Sequence, residues 1–305
     1  MASWRGIAGR CPLATPFGMA VFAAPQLCFA DSILAPVGPV GAGDRIILLD
    51  ATFIMLAIVI PTMLVTLVFA WWYRASNTRA TYRPDWSYSG RIELLVWSIP
   101  TLVIFFLGGV IWIGSHRLDP FAPLASAKKP LEIDVIALDW KWLFIYPQQN
   151  VASINRLIIP VGRPLHFRIT SATVFNVFFV PRLGSQIYAM NGMTSQLNLE
   201  ADEAGSYLGL SAHFSGDGFS NMHFATVAVP QAQFGQWVAD AQARGPVLDT
   251  ATYRRLLRQD LKLSPYTYRG VQSGLFDAVA MQKLPPGEGP NADQSLQHTS
   301  PQGGP

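Results

Sequence analysis

Cysteine and charge are both scarce in this chain, and their scarcity excludes several classes of protein. The 305 residues include two cysteines, Cys11 and Cys28, so the chain beyond residue 28 lacks disulfides and thiolate ligands. A copper centre bridged by two thiolates therefore cannot form there. Charged residues make up 13% of the sequence and half of it is apolar, which indicates a membrane protein. The net charge of +3 is small and the arginines cluster beside apolar segments, so no nucleic-acid partner is expected.

Two long runs contain no charged residue. They extend from Ala51 to Tyr73 and from Leu94 to Ser115, and each exceeds the roughly 20 residues that a helix needs to cross a bilayer. The sequence therefore predicts a two-helix transmembrane hairpin, with helices over residues 46–73 and 92–115. Pro61 and Pro100 are tolerated inside such helices as local kinks.

The segment between these helices, residues 74–91, indicates the orientation of the hairpin. It carries four arginines against one acid, which by the positive-inside rule predicts a cytoplasmic loop and both chain ends on the outer side. Asp50, Arg117 and Asp119 would then lie at the outer surface of the membrane as interfacial anchors.

The first 30 residues have the composition of an export signal. Arg5 and Arg10 precede a moderately apolar stretch, and cleavage could follow Ala30 or fall just before Cys28. In the second case Cys28 would carry a lipid, although the preceding PQL is a poor lipidation sequence. An ordinary buried or removed cysteine is the alternative.

Beyond residue 130 the pattern changes to alternation of apolar and polar residues. Leu131, Ile133 and Val135 alternate with Glu132 and Asp134, which predicts a half-buried strand. Turn sequences separate further short runs, so residues 131–230 are predicted to form an all-β sandwich.

The periodicity becomes helical again after residue 230. Phe234, Trp237, Val238 and Ala241 share one helical face, and small helices are predicted over residues 231–283, packed on the sandwich or on a partner. Residues 284–305 contain few apolar residues and are predicted to be disordered.

The segment GLSAHFSGDGFSNM, residues 209–222, has the spacing of a metal-binding loop without its ligands. With the two-helix anchor and the β domain, it resembles subunit II of the haem-copper terminal oxidases, whose copper loop reads C-x-E-x-C-x-x-x-H-x-x-M with an upstream histidine. The resemblance implies a cupredoxin-like sandwich. Of the six ligand positions of the copper centre, only that of Met222 has the residue type found in the copper-binding relatives. The residues at the ligand positions are Asn176, Ser211, His213, Ser215, Phe219 and Met222.

Longer segments are similar to subunit II of the bo-type ubiquinol oxidases in particular. These are DWKWLFIYP, FFVPRLGSQIYAMNGM and FSGDGFSNM, and the similarity covers about residues 28–283. It implies a non-catalytic subunit of a proton-pumping ubiquinol oxidase in a bacterial inner membrane. Haems and copper would belong to the large subunit I, with subunits III and IV as further partners and no cofactor in this chain. Ubiquinol dissolves in the bilayer and would reduce a haem in the large subunit directly. Cys28 stands at the lipidated position of that family.

Glu93 opens the second apolar segment in the sequence RIELLVWSIP. One interpretation is an interfacial carboxylate stabilised by the helix N-terminus. The resemblance implies another, because a glutamate in this context lies at the mouth of a proton-uptake channel of the large subunit. An ionisable residue beside a membrane span is a functional candidate.

Trp140 and Trp142 are two residues apart in DWKW and would share one face of a strand. In relatives that use cytochrome c, an aromatic residue near this place takes part in electron uptake. Without copper behind them, packing or contact with the large subunit is expected here.

A different class of function remains open for the same loop. His213, Met222 and His223 have side chains that bind copper, and a free membrane-anchored cupredoxin with a single copper is the alternative. Two histidines and one thioether form an incomplete ligand set, however.

Overall fold

The computed structural model describes residues 33–81, 83–259 and 263–287. The predicted signal peptide and Cys28 lie outside the described residues, as do residues 288–305 of the predicted tail. Residues 284–287, which were also predicted to be disordered, contact the β domain: Leu284 packs on its hydrophobic residues, and the N–H of Gly287 donates a 3.2 Å hydrogen bond to the carbonyl group of Ala172. The described chain consists of a helical hairpin followed by a β domain with small helices, which confirms the predicted fold class.

Both helices are long and apolar enough to cross a membrane. Helix α1 spans Pro39–Trp72 and α2 spans Gly90–Arg117. The first begins before the predicted residue 46, because Pro39 is well suited to the first turn of a helix and the residues that follow, such as Gly41 and Asp44, contact the β domain. At about 1.5 Å per residue, the 34 residues of α1 exceed the thickness of a bilayer core, so its first turns extend beyond such a core.

The two helices approach each other closely at the end of the hairpin next to the β domain. A Cβ atom on Gly43 would lie 2.7 Å from Leu118 Cδ2, and one on Gly114 would lie 2.6 Å from Ile47 Cδ1. These distances are too short for carbon atoms, so a side chain larger than that of glycine would push the helices apart.

The β domain is a sandwich of two sheets packed face to face, with a small third sheet. The strands that the structure describes are β1 (Leu131–Leu138), β2 (Lys141–Tyr146), β3 (Val151–Ile154), β4 (Arg156–Pro160), β5 (Leu165–Ser171), β6 (Asn176–Val180), β7 (Gly184–Ala189), β8 (Ser195–Leu199), β9 (Gly205–Ser211), β10 (His223–Val229), β11 (Val247–Leu248), β12 (Tyr266–Tyr268) and β13 (Gly270–Val271). The six-stranded sheet has the order β12-β3-β2-β1-β5-β8, and the five-stranded sheet has the order β4-β10-β9-β6-β7. Strands β11 and β13 form the two-stranded sheet.

The main hydrophobic core lies between the two sheets. Trp142 is fully buried at its centre, with its ring 5.5 Å from that of Phe178 and 5.7 Å from that of Phe224. Edge-to-face contacts of this kind add to the free energy gained from burial. Alternate residues of β1, such as Ile133 and Val135, contribute to the same core.

A second hydrophobic core covers the outer face of the six-stranded sheet. Ile136 and Leu138 of β1 contribute to it together with Tyr268 and Phe276. The prediction that β1 is half-buried was therefore wrong: the C-terminal segment covers the face that the sequence pattern assigns to solvent, and Asp134 is buried there.

The C-terminal segment contains strands as well as the predicted small helices. Helices α3 (Gln231–Ala243), α4 (Thr250–Leu256) and α5 (Leu275–Ala280) alternate with β11, β12 and β13. Strand β12 pairs with the edge strand β3, which fixes the segment to the sandwich. Strands of two or three residues have no periodicity that a sequence could reveal.

Backbone hydrogen bonds join the start of α1 to the β domain. The N–H groups of Val37 and Gly41 donate to the carbonyl groups of Arg182 and Leu183, over 2.8 and 2.9 Å. The carboxylate of Asp44 accepts a hydrogen bond of 2.9 Å from the N–H of Ser185. The hairpin and the β domain therefore have a defined relative position.

Candidate functional site

The six residues at the ligand positions of the copper loop come together at one end of the sandwich. Asn176 begins β6, Ser211 ends β9, and residues 212–222 form the loop that leads into β10. The pairing of β6 with β9 brings Asn176 near Ser211, because Phe178 is the register partner of Ser211. A short 3-10 helix, Phe219–Asn221, returns the loop to the sheet.

Hydrogen bonds within the loop connect the buried members of this set. Ser211 Oγ donates to Asn176 Oδ1 over 3.2 Å, and Ser215 Oγ donates to the sulfur atom of Met222 over 3.8 Å. All four side chains are buried. Their polar atoms thus use one another as partners, as buried polar groups generally require.

The other two positions, His213 and Phe219, do not share this buried network. His213 is exposed, its ring lies 4.7 Å from that of Phe175, and its Nδ1 atom is 3.0 Å from the carbonyl oxygen of Phe214. Phe219 is half-buried and its ring lies 5.6 Å from that of Phe214. Together these aromatic rings form an apolar rim around the loop.

Trp140 lies in a turn and not on a strand, so the prediction that it shares a strand face with Trp142 was wrong. Residues 139 and 140 form the two-residue turn between β1 and β2, and Trp140 has a left-handed φ of 59°. This backbone conformation is uncommon for a residue other than glycine. The indole Nε1 of Trp140 donates a 3.0 Å hydrogen bond to the carbonyl oxygen of Ser215, and its ring lies directly against Gly218.

The donor atoms collected here do not fit a dinuclear copper centre. Such a centre requires two thiolates, and the corresponding atoms are the hydroxyl groups of Ser211 and Ser215, which are neutral and hard. A single copper fits little better: Met222 is buried with its sulfur accepting a hydrogen bond, while His213 and His223 are exposed. Within residues 33–81, 83–259 and 263–287, no three His, Cys, Asp or Glu side chains are grouped as a metal site.

Glu93 lies far from this loop, in the first turn of α2. Its side chain is exposed on the surface of the chain, at the end of the hairpin that carries the arginine-rich connector. Asp50, Arg117 and Asp119 are also exposed and lie near the opposite end of the hairpin.

One polar cluster on the outer face of the six-stranded sheet was not predicted. Asp134 is 5% exposed, and its Oδ1 atom lies 3.6 Å from Nη1 of Arg168, which also forms an ion pair with Asp277 of α5. The pKa of Asp134 is raised to about 6, chiefly by burial, which Arg168 opposes. Asp277 and Glu132 contribute to the rise, and the nearby His166 opposes it. Arg168 also lies over the ring of Phe276, 4.5 Å from its centre.

Comparison with known proteins gives consistent matches. Residues 127–229 match the family described as cytochrome c oxidase subunit II, periplasmic domain. The chain is 48% identical over 249 residues to ubiquinol oxidase subunit 2 of Acetobacter aceti, covering 81% of each protein. It is 45% identical over 248 residues to cytochrome bo(3) ubiquinol oxidase subunit 2 of Pseudomonas aeruginosa, covering 81% of this chain and 75% of that protein. With the subunit of the same name from Pseudomonas putida, the identity is 50% over 227 residues, or 74% and 72% of the two chains.

Proposed function

The chain belongs to the family of ubiquinol oxidase subunit 2 and is a subunit of a respiratory ubiquinol oxidase, and on that premise we propose that it is a structural subunit without a redox centre. Membership of this family confirms the resemblance seen in the sequence. In the proposed role, the hairpin and the β domain anchor and stabilise the large haem-copper subunit I. Subunits III and IV complete the complex, and the haems and copper belong to subunit I.

The hydrogen bonds between Ser211 and Asn176 and between Ser215 and Met222 support this role most directly. In a copper-bearing relative these positions supply ligands, whereas here their polar atoms are occupied with each other. An external relay is unnecessary when the electron donor is dissolved in the bilayer, because ubiquinol can reach a haem of the large subunit through lipid. The loop then keeps its shape for packing, and the indoles of Trp140 and Trp142 contribute to that packing, since both are buried within the chain.

Glu93 is proposed to admit protons from the cytoplasm to the large subunit. Its side chain is exposed in this chain and stands at the start of α2, where the helix dipole favours the carboxylate. A carboxylate at the edge of the membrane is suited to collecting protons, because it exchanges them with water and can face a neighbouring subunit.

The orientation follows from the charges beside the helices. We place the chain in the bacterial inner membrane, with residues 74–91 in the cytoplasm and both termini in the periplasm, because that connector contains four arginines and one acid. An N-terminal signal, residues 1–30, and a lipid on Cys28 agree with this orientation.

The donor preference of the purified complex tests the proposal. Oxygen consumption is measured with ubiquinol and, separately, with reduced cytochrome c, and the metal content of the isolated subunit is determined after loading with copper. We expect turnover with ubiquinol, none above background with cytochrome c, and no stoichiometric copper in this subunit. Rapid turnover with cytochrome c together with copper bound in this subunit would contradict it.

A further inference from the structure

The connector between the two helices, residues 74–91, carries an excess of positive charge. Its only acidic residue is Asp85, and Glu93 follows in the first turn of α2. Four arginines stand against these two carboxylates, which leaves a local charge of +2. The arginines, all of them exposed, are Arg74, Arg79, Arg83 and Arg91.

Both ends of the connector lie at the boundary of the uncharged part of the hairpin. The uncharged run of α1 ends at Tyr73, and Arg74 follows it directly. The uncharged run of α2 begins at Leu94, three residues after Arg91, which is about 4.5 Å along a helix. Arg74 and Arg91 are therefore placed where the hydrocarbon region of a bilayer gives way to the head groups.

Exposed aromatic side chains accompany these arginines. Trp71 and Tyr73 at the end of α1 are 62% and 60% exposed, and Trp86 and Tyr88 in the connector are 58% and 72% exposed. Each combines an apolar ring with a polar atom, and such side chains are enriched at membrane–water interfaces because the head-group region accommodates both parts. The rings therefore favour lipid over water as the surroundings of this end of the hairpin.

Three of the four guanidinium groups are free to bind an anion. Arg74 is held at the end of α1, where its Nη1 donates a 3.1 Å hydrogen bond to the carbonyl oxygen of Trp71. The side chains of Arg79, Arg83 and Arg91 form no ion pair or hydrogen bond with any residue that the structure describes. A guanidinium group can donate two parallel hydrogen bonds to the oxygen atoms of one phosphate.

We propose that the connector binds anionic phospholipid of the phosphatidylglycerol class in the leaflet on its side of the membrane. The phosphate groups contact the free guanidinium groups, and the aromatic rings lie among the head groups beside them. The excess of positive charge selects a lipid with a net negative charge. In a zwitterionic lipid the positive nitrogen cancels the charge of the phosphate, so the attraction is weaker. This lipid site requires that the hairpin spans a membrane, and it is independent of whether the chain has a redox centre.

The test uses the intact complex in proteoliposomes of phosphatidylethanolamine. These contain a small fraction of a phosphatidylglycerol analogue with a photoreactive group near its phosphate or, separately, the same analogue of phosphatidylcholine. After irradiation, the cross-linked peptides are identified by mass spectrometry. We expect the phosphatidylglycerol analogue to label residues 71–91 with about tenfold the yield of the phosphatidylcholine analogue, since each arginine near an anionic lipid contributes about fivefold to binding.

One variant complex combines Arg79→Gln, Arg83→Gln and Arg91→Gln. Its labelling by the phosphatidylglycerol analogue should fall about tenfold, to the yield of the phosphatidylcholine analogue. The corresponding variant with lysine at the three positions keeps the charge and should keep the preference for phosphatidylglycerol.

The matched control combines Arg244→Gln, Arg254→Gln and Arg269→Gln, three exposed arginines of the β domain, and should leave labelling of the connector unchanged. Subunit stoichiometry of each variant complex is measured to verify assembly. Equal yields of the two analogues on the wild-type connector, or an undiminished yield in the glutamine variant, would overturn the proposal. Protein cross-links from the connector to an acidic loop of a neighbouring subunit, without lipid labelling, would also overturn it and would identify a protein contact instead.

Discussion

Arg168 of β5 is the direct register partner of Asp134 on the parallel strand β1, with Nη1 of the arginine 3.6 Å from Oδ1 of the aspartate. Asp134 Oδ1 is buried and accepts no hydrogen bond among the described residues. The single ion pair at this distance therefore offsets only part of the cost of burying the carboxylate. Since burial raises the pKa of Asp134 to about 6, the stability of the β domain should depend on its protonation.

The first prediction concerns Asp134→Asn. The folded-state pKa of about 6 lies above the ordinary value of 3.8, so the folded state binds the proton more tightly. The stability that the folded state gains from the protonated Asp134 is therefore complete below about pH 4 and is lost as the pH rises through about 6. The wild type therefore loses up to about 3 kcal/mol of its free energy of unfolding between pH 4 and pH 7 through this group. Asparagine does not titrate, so the variant should not show this loss, and its stability relative to wild type should rise by the same amount. Denaturant unfolding followed by tryptophan fluorescence measures this change.

Asp240→Asn is the control for this titration, because Asp240 is exposed on helix α3 and is not among the groups that shift the pKa of Asp134. Between pH 4 and pH 7, the free energy of unfolding of this control relative to wild type should change by no more than about 0.5 kcal/mol. An Asp134→Asn variant whose stability parallels that of wild type at every pH would contradict the prediction.

The second prediction is that Gly218→Ala destabilises the loop. A Cβ atom at residue 218 would lie 2.2 Å from the Cδ2 atom of Trp140, and that indole is fixed by its hydrogen bond to Ser215. We expect a loss of about 1–3 kcal/mol in the free energy of unfolding and a red shift of the tryptophan emission. Gly235→Ala is the matched control: a Cβ there meets nothing within 4 Å, and the residue is inside helix α3. The control should stabilise the chain by about 0.5–1 kcal/mol, and equal destabilisation by the two variants would refute the argument.

The third prediction is that five substitutions create a copper site. Asn176→His, Ser211→Cys, His213→Glu, Ser215→Cys and Phe219→His, with Met222 kept, would supply thiolates and imidazoles on the existing backbone. The full chain should then bind copper and give the electron paramagnetic resonance signal of a mixed-valence pair. The variant with Ser211 and Ser215 retained should give no such signal. Failure of the fully substituted and folded chain to bind copper would mean that the loop has lost the geometry as well as the ligands.

The fourth prediction addresses Glu93. Glu93→Gln should lower ubiquinol-driven oxygen consumption and proton pumping about twofold or more, because an amide cannot exchange a proton with water. Glu93→Asp should recover part of the rate. Both are measured on the purified complex in proteoliposomes, and Glu132→Gln is the control, since Glu132 lies on the β domain and not on the hairpin. Rates that are equal in all variants would leave Glu93 with the role of an interfacial anchor.

The features that follow from local pattern could be predicted from the sequence. Uncharged runs revealed the hairpin, because the bilayer imposes a length and a composition. The loop spacing and the quoted segments indicated the family, and the chemistry of Ser211 and Ser215 excluded thiolate ligation without a structure. Alternation of apolar residues indicated the sandwich.

Features that depend on tertiary contacts could not be predicted. Glu132 and Asp134 appear equally polar in the sequence, yet one is exposed and the other is buried by α5, more than 100 residues away. Trp140 follows a strand pattern on both sides, and only the register of β1 with β2 places it in the turn. Gly43 and Gly114 allow the two helices to approach, and this contact depends on how the helices pack and not on the sequence of either helix alone.

Strand β12 closes one edge of the six-stranded sheet although it is formed by residues near the end of the chain. Until these residues have been synthesised, β3 therefore has unpaired N–H and C=O groups, which can serve as a template for a strand of another molecule. The apolar side chains beneath Phe276 are uncovered for the same interval. The incomplete β domain is thus prone to aggregation until β12 and α5 have joined it, so the yield of the subunit should depend on chaperones and on the speed of synthesis.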